Sequence, residues 1–321
     1  MQQAVTANDA IAASAPRRSI GDAIFAAVAR ASGGFVLLLL GSLIVVLFLG
    51  GLHAFMKFGP GFVVSSEWNP VTENFGALVS IFGTLVTAVL ALLFAVPLAF
   101  GIAFFLTELA PDWMRRPVGT AIELLAAVPS IIYGMWGFFV IVPFMSTYFQ
   151  PPLIDLFDGI PVLEDLFAGP PFGTGIFTAA FVLGVMIIPF IAATMRDVFD
   201  TVPQVYKESA YGVGCTRWEV MRSIVLPYTR TSVVGGIMLG LGRALGETMA
   251  VTFVIGNADR IATSLFGSGN TIASIVALEF PESPAGSLKL SSLLALGFIL
   301  FVISFIVLTI SRMMLKPRLK G

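Results

Sequence analysis

The sequence predicts an all-α integral membrane protein with six transmembrane helices, and three observations lead there. The first is composition: 57% of the 321 residues are hydrophobic and only 12% are charged, too apolar for a soluble domain of this length. The second is a set of six apolar stretches near residues 33–52, 79–106, 121–145, 175–194, 232–255 and 290–311. Each is long enough to cross a hydrocarbon core, which takes about 20 helical residues. The third is where the basic residues fall. With the N-terminus inside, the cytoplasmic segments hold Arg17, Arg18, Arg30, Arg115, Arg116, Arg196, Lys207, Arg217, Arg222, Arg230, Arg312, Lys316, Arg318 and Lys320. The opposite side holds only Lys57, Arg260 and Lys289, and Arg243 lies inside the fifth stretch. Fourteen against three is the asymmetry that orients a multi-pass chain, and it places both termini in the cytoplasm. The net charge of −1 says nothing by itself.

Residues 1–32 are Ala-rich and polar and read as a mobile cytoplasmic tail ending in an amphipathic stretch, Ile20 to Ala29. Residues 33–321 form the transmembrane domain. The arginines followed by an apolar run resemble a secretory signal, but the run exceeds signal length and no small-x-small cleavage site follows, so an uncleaved anchor is expected. The second span is long and contains Pro97, which predicts a kink or a short interfacial piece. Pro129 in the third span and Pro189 in the fourth are tolerated where neighbours cover the freed carbonyl. Glu123 belongs at the edge of the third span. Between Gln150 and Pro171 the chain carries Asp155, Asp158, Glu164 and Asp165 and no basic residue. That segment reads equally as a solvated external loop or as a docking surface. The loops 52–78, with Trp68, and 256–289 are large enough to share such a role. One cysteine, Cys215, excludes an internal disulfide, and one histidine, His53, leaves no His-based metal cluster.

The basic loop after the fourth span reads as helix, glycine turn, helix. Pro203 suits a first helical turn, and Gly214 suits the left-handed position that ends a helix. Thr216 and Glu219 form a capping box that starts the next helix, and Pro227 is expected to stop it.

The fifth span carries Gly242-Arg243-Ala244-Leu245-Gly246-Glu247-Thr248. Arg243 falls almost midway along 232–255, where an arginine costs about 2.5–3.5 kcal/mol on the gentlest insertion scale. On a continuous helix Glu247 lies one turn along the same face, and Gly236, Gly240, Arg243 and Glu247 fall within about 60° of one another. Such a stripe leaves room for a neighbouring helix or for a small polar solute. Buried ion pairs stabilise poorly, which favours a solute path over a structural pair. No G-x-x-x-x-G-K-[ST] string occurs, and Gly240-x-Gly242-x-x-x-Gly246 sits in an apolar helix rather than after a strand. With no nucleotide loop and no Ser/His/Asp set, the chain alone is not an enzyme.

Two resemblances sharpen this. Glu208-x-Ala210-x-x-x-Gly214, followed by Ile224-x-Leu226-Pro227, resembles the EAA loop of ABC-importer permeases, with Ser209 in place of the usual middle Ala. Gly242 to Val251, together with Ala127-Val128-Pro129-Ser130-Ile131-Ile132-Tyr133-Gly134, resembles the signatures of phosphate-importer permeases, the PstC/PstA pair. The long external loops and the tail suit the PstC-type partner, and the resemblance runs from about residue 33 to the C-terminus. It implies a type I ABC-importer permease fold, with spans three to six and the EAA coupling helices as its core. It implies that the loop at 203–227 docks into a cytoplasmic ATPase through Glu208, Ala210, Gly214, Ile224, Leu226 and Pro227. It also implies a phosphate path through Arg243 and Glu247, which the wheel extends to Gly236 and Gly240 and to which the same signature adds Thr248. The implied partners are a second, PstA-like permease, two ATPase subunits, an extracytoplasmic phosphate-binding protein and inorganic phosphate, in a bacterial inner membrane. No nucleic acid is implied, and no cofactor on this chain, since ATP and Mg belong to the ATPase. Two alternatives stay open: a permease for sulfate, molybdate or phosphonate, and a passive channel or signalling scaffold whose loop holds a regulator.

Overall fold

In the computed structural model, six helices among the described residues are long and apolar enough to cross a membrane: Ile24–Phe58, Leu78–Leu109, Ser130–Phe157, Ile176–Asp200, Arg217–Leu245 and Leu288–Met313. The structure describes residues 20–314. The expectations for Arg17, Arg18, Lys316, Arg318, Lys320 and most of the tail fall outside them. Among the described residues the chain forms two units, parted between Leu49 and Gly50. The first helix, Ile20–Phe58, runs unbroken, so the stretch beginning at Ile20 is the start of the first spanning helix. Within the second unit, a Cβ on Gly51 would lie 2.8 Å from the Ala295 Cα. The Ala54 N–H donates to the Ser291 hydroxyl at 3.1 Å, which itself donates to the Gly50 carbonyl at 2.8 Å.

The second span stays α-helical through Pro97 to Phe104 and ends in one π turn, Phe105–Leu109. Its inner face is an alanine ladder, Ala88, Ala91, Ala95, Ala99 and Ala103, all fully buried. Small side chains at that spacing let helices approach closely: a Cβ on Gly184 of the fourth span would lie 3.2 Å from the Ala91 carbonyl. The fourth span, Ile176–Asp200, is continuous through Pro189 and is the most enclosed of the six.

Two expected spans are displaced. The third does not run over 121–145. Asp112–Ala126 is a separate amphipathic helix, and the apolar helix begins at Ser130 with Pro129 as its cap at φ −57°, ψ 135°. A proline disfavours helical backbone in the residue before it and suits a helix start, so the motif from Ala127 to Gly134 spans a break. The new span then runs to Phe157 through two π turns, Gly137–Ile141 and Met145–Phe149.

The fifth span does not run over 232–255. It starts at Arg217, passes through a π turn at Met221–Val225 and ends at Leu245. Pro227 therefore does not stop the loop's second helix. It sits in the first turn of the α segment that restarts at Leu226, where its missing N–H is not required. At the other end Gly246 terminates the helix, and only the short Met249–Thr252 helix follows.

The segments between spans are ordered. Trp68–Asn69 pairs antiparallel with Asn74–Phe75. Trp68 donates its indole N–H to both Glu279 carboxylate oxygens at 3.2 and 3.1 Å. The expected acidic loop is only partly a loop: Gln150–Phe157 is the last helical stretch of the third span, and Leu163–Phe167 is a separate short helix, joined to it by stacked rings of Phe157 and Phe167 at 4.9 Å. The Leu265 N–H donates to the Leu166 carbonyl at 2.8 Å and anchors them to the segment after the fifth span. Spans two, four and five supply the main apolar core, and a second cluster gathers Phe62, Trp68, Phe75, Ile272 and Leu293.

Candidate functional site: a broken fifth span and its basic loop

Arg243 occupies the last turn of Leu226–Leu245, not the middle of a span, and Glu247 lies beyond the helix end. The expectation that they share one helical face fails because Gly246 ends the helix between them. Among the described residues no ion pair joins them. Arg243 instead lies over the Phe190 ring, its Cζ 5.6 Å from the centroid, a cation–π placement. It is also within electrostatic reach of the Tyr133 phenol. The Glu247 carboxylate accepts a long 3.5 Å bond from the Ala250 N–H. Both charged side chains are half-buried. Thr248 and Gly246 line a cavity of about 290 Å³ with Ile272, Ala273 and Gly297 among its walls.

The glycines take the other option their spacing offered. A Cβ on Gly236 would lie 2.8 Å from Thr194 Cγ2, and one on Gly240 2.7 Å from Ile191 Cγ1. They form a packing seam against the fourth span, so Gly240 is buried there and presents no open backbone. Gly236 also edges a groove of about 550 Å³ that holds Ser232 and Arg312. Arg243, Glu247 and Thr248 thus cluster at the helix break, while Gly236 and Gly240 belong to the wall behind it. The two sequence motifs meet here: a Cβ on Gly134 would lie 2.9 Å from the Met249 carbonyl and 3.0 Å from the Ala250 Cα.

In the basic loop, Gln204–Gly212 is helical with Pro203 as its cap. Gly214 has φ +91°. Its N–H donates to the Tyr211 carbonyl at 3.0 Å, and the Cys215 N–H to Ala210 at 3.1 Å, the paired closure of a Schellman turn. The Thr216–Glu219 capping box is present in both directions. Of the expected contact residues, Glu208, Gly214 and Pro227 are exposed, whereas Ala210, Ile224 and Leu226 pack into the protein's own core. Their apolar side chains suit that core, so the outward face is made by others. Val205, Tyr206 and Val213 are 69%, 54% and 82% exposed, and no local pattern marked them.

A second group had no signal in the sequence. Lys207 Nζ lies 2.7 Å from Glu108 Oε1, with both side chains almost fully buried. The Tyr211 hydroxyl donates to Glu108 Oε2 at 3.1 Å, and burial together with that carboxylate pushes the phenol pKa up. Beside them a polar pocket of about 260 Å³ is lined by Arg115, Asp200, Gln204 and Arg217 as well.

Fold and site together define the class: a multi-pass helical membrane permease subunit with a structured loop at one membrane face. The family model for the binding-protein-dependent transport system inner membrane component matches residues 95–321. The phosphate transport system permease protein PstC of Mesorhizobium japonicum is 58% identical over 299 residues, 93% of this chain and 91% of that protein. The PstC of Pasteurella multocida is 60% identical over 281 residues, 88% and 87% of the two chains. That of Methanocaldococcus jannaschii, named a probable PstC, is 35% identical over 265 residues, covering 81% of this chain and 82% of that one. Among solved structures, a chain of a bacterial alginate ABC transporter superposes with a TM-score of 0.59 at 15% identity, over 94% of this chain and 96% of that one. A chain of the inward-facing MetNI methionine ABC transporter gives 0.54 at 14% identity, over 74% and 93%. At such identities these two speak to fold alone. The chain belongs to the family of binding-protein-dependent transport system inner membrane components, among the PstC-type permeases of type I ABC importers.

Proposed function

We propose that this chain is a transmembrane permease subunit of an ATP-driven inorganic phosphate importer, with its solute path at the broken end of the fifth span. One observation carries the reading. The two motifs that resemble phosphate-importer signatures meet at Gly134 and Ala250, in a chain 58% identical to a phosphate transport system permease over 93% of its length.

The local chemistry supports a phosphate path. Irregular backbone at membrane depth is tolerated where it lines a cavity, and broken helices are where transporters place solutes. Arg243 presents a planar fork of donors suited to a tetrahedral oxyanion. The nearby Glu247 carboxylate weakens the hold on a dianion, which favours release, and accepts a hydrogen bond from a P–O–H group. Thr248 adds a hydroxyl at the same break. The loop over Gln204–Val220 lies in the cytoplasm and docks on a separate ATPase that holds ATP and Mg, through exposed Glu208, Gly214 and Pro227 with Val205, Tyr206 and Val213. Both chain ends lie on that same cytoplasmic side. A PstA-like second permease completes the path, two ATPase subunits drive it, and an extracytoplasmic phosphate-binding protein delivers the ion. Closure of the ATPase dimer on ATP then rocks the spans between two accessibilities.

The test is uptake of labelled phosphate into vesicles holding the complete complex, with ATP and with unlabelled sulfate as competitor. ATP-dependent phosphate uptake resistant to sulfate is expected. Uptake blocked by sulfate would favour a different oxyanion, and ATP-independent flux would favour a passive channel.

A further inference from the structure

Two spans are tied to the basic loop by the chain itself. The fourth ends at Asp200, just before Gln204–Gly212, and the Arg217–Val220 helix runs directly into the fifth. The second span, Leu78–Leu109, has no such covalent link, yet its last turn is held by three donors from the loop. Lys207 Nζ reaches Glu108 Oε1 at 2.7 Å, the Tyr211 hydroxyl donates to Oε2 at 3.1 Å, and Arg217 Nη1 donates to the Glu108 main-chain carbonyl at 2.7 Å. Lys207 and Tyr211 precede the Gly214 turn and Arg217 follows it, so one residue engages both loop helices.

The arrangement is physically demanding. The Glu108 carbonyl lies in the closing π turn, among the groups a helix end leaves without an intrahelical partner, and Arg217 supplies one. The Lys207 and Glu108 side chains are only 7% and 6% exposed. Removing one partner from a buried pair leaves an uncompensated charge, which costs far more than the pair contributes. Any movement of the loop relative to the second span would strand that carboxylate. Aromatic contacts run alongside: the Trp218 ring lies edge-on to Phe104 at 5.7 Å and to Phe100 at 6.4 Å.

We infer that Glu108 is a positioning residue that clamps the end of the second span to both loop helices, so that this span travels with the loop during transport. The inference rests on the reading that the loop engages an ATPase. A static staple would share the geometry but would not govern how much phosphate moves per ATP.

The experiment uses the complete complex in vesicles, with Glu108→Gln, Lys207→Gln and the double variant, following phosphate uptake and ATP hydrolysis together. The milder Tyr211→Phe removes one donor and no charge. Phosphate moved per ATP is expected to fall about tenfold in each charge variant, within the range of coupling free energies between sites. The double variant is expected to be no worse than either single one, and Tyr211→Phe to shift the same way by less. Proportional loss of uptake and hydrolysis, unchanged ratios, or multiplying effects in the double variant would overturn the clamp. A second readout needs no substrate: spin labels at Leu109 and at Ser209, exposed on the first loop helix, in a Cys215→Ala background. Their separation should be equal with and without ATP in the otherwise native complex and differ between the two states in Glu108→Gln. A native separation that changes with ATP would overturn the clamp whatever the transported solute. Failure of the unmutated complex to move phosphate would instead count against the functional reading.

Discussion

Replacing Gly214 isolates the backbone geometry of the loop from everything around it. The residue has φ +91°, and a Cβ there would meet nothing within 4 Å. A substitution therefore introduces no clash, only the cost of holding an L residue in left-handed backbone. That cost is about 1–2 kcal/mol for an ordinary side chain and toward 3 kcal/mol where the residue is β-branched. Asn tolerates the region better than either. Because ~1.4 kcal/mol is a factor of ten in an equilibrium, Gly214→Ala should lower the closed-turn population up to about thirtyfold relative to its open forms. Gly214→Val should lower it by about a hundredfold, and Gly214→Asn least. The bonds lost are Gly214 N–H to Tyr211 and Cys215 N–H to Ala210, so amide hydrogen exchange at those two positions reads the change directly. In the assembled complex, phosphate moved per ATP should fall in the order Gly, Asn, Ala, Val. A valine variant with native exchange protection and full transport would refute both the strain argument and the role of this turn in coupling.

Three further outcomes follow from single contacts. Glu247→Gln should narrow the preference for phosphate over sulfate in competition uptake, since an amide carbonyl is a weaker acceptor for the P–O–H proton, and an unchanged preference would remove Glu247 from recognition. Gly83→Ala should destabilise the chain by about 1–3 kcal/mol through overpacking, read as a lower melting temperature in detergent, because the new Cβ would fall on the Asn270 carbonyl. Asp259 accepts a bond from Asn270 Nδ2 at 2.9 Å, but burial raises its pKa above the ordinary aspartate value. A raised carboxyl pKa means the folded state binds the proton more tightly. Its contribution is therefore present below the unfolded value and lost as pH rises through the folded one. Asp259→Asn should flatten the fall in thermal stability across that window, and an unaltered pH profile would contradict it.

What the sequence made legible was local or one-dimensional. Apolar length marks a span whatever its neighbours do, so all six were visible, and the Gly214 turn and the Thr216–Glu219 capping box were readable from residues a few positions apart. Breaks were harder because proline has no fixed outcome. Pro97 and Pro189 lie within continuous helices whose packed faces hold them together, whereas Pro129 follows an amphipathic helix and starts a new one. The fifth span misled at a glycine, Gly246, which ends its helix. Residues after Gly246 are apolar enough to extend a helix, and a wheel drawn through that break placed Arg243 and Glu247 on one face. The glycine spacing was ambiguous until Thr194 and Ile191 supplied its partners. Glu108 and Lys207 are 99 positions apart, and nothing near either residue announces the other.

The most direct test of the central claim compares wild type with Arg243→Gln in vesicles containing the complete complex, following labelled phosphate uptake and ATP hydrolysis in parallel. The account predicts that uptake is lost while the complex still assembles and still hydrolyses ATP, because Arg243 supplies the donors at the broken end of the fifth span. Normal phosphate uptake by Arg243→Gln would contradict it.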